Sequence, residues 1–234
     1  MAKSNSPEGT RAVRVWDLPL RLFHWLLVIC LIGSFVSIKT GNVDVHLRFG
    51  YAALSLILFR LVWGFVGPRY ARFSSFVFSP ASLLAWLRGS PDAPRTLGHS
   101  PAGALSVFAL LFAVALQATT GLFTSDDLFA EGPLARHVSN AFVQTAGRIH
   151  NQNEFVILGL VVLHLAAIAF YRFAKRTSLV RPMIVGDKLV PVGSSGRGPT
   201  EPAARDDLGI RVRALIVLGI AIALVMAIVW WPPA

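Results

Sequence analysis

Five apolar runs, each close to the roughly 20 residues that a bilayer core demands, constrain this 234-residue chain more than any other feature. They lie near Pro19–Ile38, Val43–Phe65, Pro101–Phe123, Ile149–Tyr171 and Ala214–Trp231. In hydrocarbon every backbone N–H and C=O must be satisfied within the segment, so runs of this length read as transmembrane helices. With 54% hydrophobic residues, the expectation is an all-α integral membrane protein.

The formal charge of +10 raises the question of nucleic acid, and its distribution answers it. Of the 22 Lys and Arg, 17 fall in or beside the N-terminal tail, the 67–99 loop and the 172–213 loop. Those segments share one side of the membrane, which is the positive-inside pattern. The charge therefore orients the chain, with the N-terminus cytoplasmic and the C-terminus outside, and excludes nucleic acid as the expected partner. Trp230 and Trp231 then form an outer interfacial belt. Cys30 is alone, which leaves no disulfide framework, thiolate metal site or covalent haem attachment motif. Residues 1–10 are polar and no small-residue cleavage site follows a short apolar core, so the first span is expected to be retained.

Four expected units follow. Residues 1–15 form a cytoplasmic tail, polar and mobile; 16–185 hold four spans; 186–210, with its Gly-Ser-Ser-Gly-Arg-Gly-Pro run, form a flexible linker; 211–234 carry the fifth span. The turn Lys39-Thr-Gly-Asn42 makes spans one and two an antiparallel pair. Ser79-Pro80 opens a short helix, which either lies on the inner surface or is an ordinary loop helix. The outer loop 125–148 carries Asp126, Asp127 and Glu131 before an amphipathic stretch over Leu134–Gln144. The fifth span has no ionisable residue and reads as an anchor or a packing surface for a partner helix.

Four of the six histidines, His24, His46, His150 and His164, sit inside or at the mouths of these runs. At about 1.5 Å of rise per residue, His24 and His164 both lie about 8–10 Å below the cytoplasmic boundary, whereas His46 and His150 both lie at the outer one. On span four, 14 residues separate His150 from His164, a climb of about 21 Å that returns to within roughly 40° of the same face. One helix thus offers one imidazole at each level, and spans one and two complete the pairs. Any single one of these rings also fits a hydrogen-bonded core position, but matched depth on three helices favours two bis-histidine sites of the kind that b-type haems require.

Other residues fit the same reading. Arg60 follows His46 by 14 residues and so lies on nearly its face at the inner level; it either meets haem propionates, snorkels, or pairs with a carboxylate. Gly50 and Gly64 share the face of His46 and leave room for a flat macrocycle, or serve helix packing. His99 and His137 fall in loops and are expected at the surface. Gln117 is an interhelical hydrogen-bonding group or part of a quinone pocket.

The stretches Val15-Trp-Asp-Leu-Pro-Leu-Arg-Leu-Phe-His-Trp25, Val45-His-Leu-Arg-Phe-Gly-Tyr51, Phe59-Arg-Leu-Val-Trp-Gly-Phe65 and Leu97-Gly-His-Ser-Pro-Ala-Gly103, with the His150–His164 spacing, resemble the bacterial cytochrome b561 and nickel-iron hydrogenase cytochrome b family over about residues 14–187. The resemblance implies a four-helix bundle in the bacterial inner membrane holding two b haems, ligated by His24 with His164 and by His46 with His150. It also implies electron transfer between the quinone pool and an outer-face partner, such as a hydrogenase or a c-type cytochrome. Some members oxidise superoxide, for which Lys39, Arg48 and Arg148 would form a basic outer funnel. A haem-free membrane anchor is the remaining alternative. The fifth span and its linker lie beyond the resemblance.

Overall fold

The computed structural model describes residues 10–90, 96–125, 131–191 and 202–232. Five of its helices are long and apolar enough to cross a membrane. These are α1 (Leu18–Lys39), α2 (Val43–Val66), α4 (Pro101–Gly121), α5 (Asn140–Phe173) and α7 (Leu208–Val229). Two short helices, α3 (Pro80–Leu87) and α6 (Val180–Val185), and two strands, β1 (Thr10–Arg14) and β2 (Asp187–Pro191), complete the regular elements.

Helix starts follow directly from side-chain chemistry. The Asp17 carboxylate accepts the Leu20 N–H and Asn42 that of Val45, which satisfies orphan donors at the starts of α1 and α2. Serines do the same for α3, α4 and α5 at positions 79, 100 and 139. Between α1 and α2 the chain reverses through Gly41, whose φ of 75° belongs to the left-handed region. At the other end of α2, Gly67 and Pro68 stop the helix, since proline brings no N–H to continue it.

Two helices begin earlier than the hydropathy suggests. The outer amphipathic stretch is divided between two elements: a single 3-10 turn over Ala135–His137, and then α5, whose start is capped by Ser139 through the Phe142 N–H and which runs without a break into the span from nine residues before Ile149. Helix α7 starts at Leu208 rather than at 211 or Ala214, because Asp207 caps it through the Ile210 N–H while Arg211 stays at the aqueous end against Asp206 at 3.3 Å. Charge in a first turn hides a helix from a hydropathy window, but not from its cap.

The expected mobile tail is ordered from Thr10 onward, and the expected linker begins with a strand. β1 pairs antiparallel with β2 from Thr10 opposite Pro191 to Arg14 opposite Asp187. Val13 and Val15 are buried, and Arg14 reaches Asp187 and Asp206 at 2.5 Å each. The Ala204 N–H adds a hydrogen bond to the Arg14 carbonyl at 2.7 Å. Gly186, with φ of 92°, turns the chain into β2 where any Cβ would stand 2.8 Å from the Trp16 carbonyl oxygen. The Gly-Ser-Ser-Gly-Arg-Gly-Pro run lies outside the described residues.

Packing among the spans is uneven, and this asymmetry positions the site. α1 packs along α2, α2 against α4 and α7, and α4 along α5. α7 is therefore no detached anchor: it lays Ala214, Ala221 and Val225 against the rest of the bundle, where small residues let the backbones come close. By contrast α5 has no comparable packing against α1 or α2. A slot separates the helix bearing two of the four histidines from the helices bearing the other two.

Candidate functional site

At the outer level the two rings are set by backbone oxygens. His46, in the first turn of α2, places Nδ1 2.9 Å from the Ser34 carbonyl oxygen of α1, with Ser34 Oγ at 3.0 Å. His150 on α5 places Nδ1 3.0 Å from the Gln117 carbonyl oxygen of α4, with Thr120 Oγ1 at 3.4 Å. A carbonyl can only accept, so the proton resides on Nδ1 in both rings and Nε2 keeps its lone pair. The ring centroids are 6.3 Å apart and the planes cross at 81°.

That separation fits one metal between two imidazoles. With a metal–nitrogen bond of about 2 Å and the nitrogen about 1 Å from the ring centre, centroids on opposite sides of one ion stand about 6 Å apart. Among the described residues no three His, Cys, Asp or Glu side chains gather where they would hold a metal ion. A lone divalent cation would lack ligands there, whereas a haem iron draws four from its macrocycle and needs only two from the protein. The donor set thus matches a haem and not a bare ion.

Room for a flat group is present beside the pair. A Cβ added to Gly50, one turn after His46, would meet nothing within 4 Å, and the same holds for Gly147 on α5, three residues before His150. Gly64 takes the packing alternative: the Phe73 ring fills the space where its side chain would be, 2.0 Å from an added Cβ. It is a packing glycine. Gly121 plays a part that the sequence did not suggest, since its missing Cβ would lie 3.0 Å from His150 Cε1. Asn153 is a second such residue: it is buried, and donates to the Ala113 carbonyl and to Gln117 Oε1 at 2.8 Å each, which pins α5 to α4 one turn from His150. Gln117 is therefore the interhelical hydrogen-bonding group, through both its carbonyl and its side chain.

The inner level is built differently. His24 and His164 lie close enough to interact electrostatically. His24 Nδ1 is buried with no hydrogen-bond partner, and its ring meets Trp25 edge-on at 5.0 Å. Toward the same end of the bundle Arg60 is 2% exposed, so it does not snorkel. Its guanidinium stacks on Phe73 at 4.6 Å, its charge is felt by Asp17 and His99, and Nη1 has no partner. A buried guanidinium with an orphaned donor is suited to an anionic group brought by a ligand.

Asp17 joins two of the quoted motifs. Fully buried, it caps α1 and accepts the Trp63 indole N–H at 3.2 Å, which ties α1 to α2 three residues from Arg60. Burial pushes its carboxyl above the usual range, partly offset by these donors. His99, expected at the surface, is instead packed between Phe76 at 4.4 Å and Trp16 at 4.7 Å. Burial, followed by the Arg60 charge, pushes it down to about 3. His137 likewise buries Nε2.

The basic outer funnel is weakened in the fold. Lys39 Nζ pairs with Glu154 Oε1 at 3.0 Å, so one of its three cations is neutralised. Asp126 and Asp127 lie outside the described residues.

Comparison with known proteins gives two kinds of match. The family profile described as prokaryotic cytochrome b561 matches residues 15–186. The chain is similar to a probable Ni/Fe-hydrogenase 1 B-type cytochrome subunit of Escherichia coli, 23% identical over 198 residues that cover 71% of this chain and 83% of that one. It is similar also to probable Ni/Fe-hydrogenase B-type cytochrome subunits of Azotobacter chroococcum (22% identical; 75% and 88% covered) and Cupriavidus necator (23% identical; 77% and 88% covered).

Proposed function

This chain belongs to the prokaryotic cytochrome b561 family, a multi-pass membrane b-type cytochrome of electron transfer, and from that membership we propose that it binds two haem b groups, one per histidine pair. His46 with His150 ligates the outer iron and His24 with His164 the inner one. Haem b supplies one-electron exchange at iron. The protein's own groups do the rest.

The carbonyls of Ser34 and Gln117 hold the outer imidazoles in the tautomer that coordinates and increase their basicity. Gly50 leaves the slot open for the macrocycle. Arg60 gives its unpaired Nη1 to a propionate, which resolves an otherwise costly buried cation. The apolar faces of α1, α2, α4 and α5 keep water from the slot and leave electron exchange as the available chemistry.

Electrons pass between the two levels, about 21 Å apart along α5, and connect the quinone pool of the bacterial inner membrane with an outer-face redox protein. The names of the relatives favour a hydrogenase in that position over a c-type cytochrome. The N-terminus is cytoplasmic and the C-terminus periplasmic, as the basic loops require. The observation that carries this reading is the outer pair: two rings with Nδ1 committed to carbonyls and centroids 6.3 Å apart. It disfavours the haem-free anchor, in which nothing would call for this arrangement. The paired Lys39 disfavours a superoxide oxidase.

The test uses the purified full-length protein, reduced with dithionite and then mixed with a water-soluble quinone. An α-band typical of haem b that disappears on mixing supports the reading. A colourless protein, or a reduced band that persists with quinone and superoxide alike, contradicts it.

A further inference from the structure

The ion pair between Lys39 and Glu154 has a place that suits more than helix packing. It joins the last residue of α1 to α5 across the slot, between two helices that otherwise pack little against each other. Glu154 follows His150 by four residues, which puts it on the same face one turn deeper into the membrane, and its charge acts on the His150 ring. Its carboxylate is the less exposed partner, at 28% against 58% for Lys39. The acid is therefore held near the outer pair while the base closes the mouth from the solvent side, with its ammonium also 5.2 Å from the Phe35 ring. An acid in this position would favour the oxidised, more positive state of an iron beside it, and a base at 3.0 Å cancels most of that field.

We infer that Lys39 and Glu154 form a charge clamp that sets the redox potential of the outer haem. The inference rests on the proposed ligation by His46 and His150. Neither residue touches the iron; both act through the field at its ligand. Removing the acid leaves an unbalanced cation and makes the outer haem easier to reduce, whereas removing the base leaves an unbalanced anion and makes it harder. The two effects have opposite signs, and a structural ion pair would not produce that.

The experiment is potentiometric titration of the purified full-length protein and of Lys39→Gln, Glu154→Gln and the double variant, with haem content measured for each. The outer component is identified as the one that His150→Ala removes. The clamp predicts that Glu154→Gln raises the midpoint of that component, Lys39→Gln lowers it, and the double variant returns near the parent, with the inner component unmoved. Shifts of one sign in both single variants, or no shift in either with two haems bound, overturn the clamp and leave the ligation standing. A His150→Ala variant that keeps both components overturns the ligation itself, and the clamp with it.

Discussion

The two histidine pairs each take one ring from the same long helix, α5, yet they are prepared to different degrees. At the outer level both rings are anchored by carbonyls on neighbouring helices, so geometry and tautomer are fixed by the backbone. At the inner level His24 Nδ1 has no acceptor, and Arg60, buried toward the same end of the bundle, keeps an unpaired Nη1. One pair is organised by hydrogen bonds to its ligands, whereas the other leaves a ring nitrogen unheld and a buried cation with an unpaired donor. Anchored, more basic imidazoles favour ferric iron, while a nearby guanidinium favours ferrous iron. On the proposed ligation, this asymmetry would make the inner haem the better electron acceptor.

Removing one ligand per level is the largest perturbation of this contrast. His150→Ala is expected to cut haem content from two to one and abolish the outer signal, while His164→Ala removes the inner one; pyridine haemochrome assays of the purified variants check this. A variant that lost both haems would show that the levels are not independent.

A subtler break targets the anchoring alone. Gly121→Val pushes a branched side chain against His150 Cε1, where even a Cβ would be 3.0 Å away. Disturbing a ligand's support in this way typically weakens metal binding about 10- to 100-fold, so outer occupancy should fall with the inner haem retained. Titration of this variant and of the parent protein against added haemin measures it. Next in size is the order of potentials: in the parent protein the component retained by His150→Ala should have the higher midpoint. The reverse order would remove the proposed consequence of the asymmetry.

Two stability effects are smaller. Asn153→Ala leaves the buried Gln117 Oε1 without its donor and takes a second bond from the Ala113 carbonyl, at a cost of about 1–3 kcal/mol, read as a lower midpoint of thermal unfolding in detergent. His99 supplies a pH effect. Its folded value, about 3, lies below the ordinary 6.5, so below pH 6.5 the unfolded chain takes up a proton that the folded one refuses. Stability from this group is complete above pH 6.5 and is lost progressively as pH falls toward 3. His99→Phe, which preserves the stacking on Trp16 and Phe76, should flatten that part of the unfolding profile.

Much of this architecture could be read from the sequence because bilayer physics leaves few choices. The five spans are fixed by length and hydropathy, and the pairing of histidines in depth follows from rise per residue. What escaped was whatever depends on backbone or on distant partners. The acceptors for His46 and His150 are carbonyl oxygens, and no side chain at Ser34 or Gln117 announces them. The ordered tail escaped because β1 is stable only through its pairing with β2, 173 residues away from Arg14 at Asp187. His99 reads as a loop residue until Trp16 and Phe76 close around it, and Gly64 resembles Gly50 until Phe73 fills one and leaves the other open. A cap such as Asp207, in contrast, was visible and merely outweighed by the charges that follow it.

Low-temperature electron paramagnetic resonance of the oxidised, purified protein, with haem and protein quantified on the same sample, addresses the central claim most directly. Two distinct low-spin ferric signals, integrating to two haems per polypeptide, are the predicted result. A single haem, or high-spin iron at either level in the unmutated protein, would contradict ligation by two pairs of histidines.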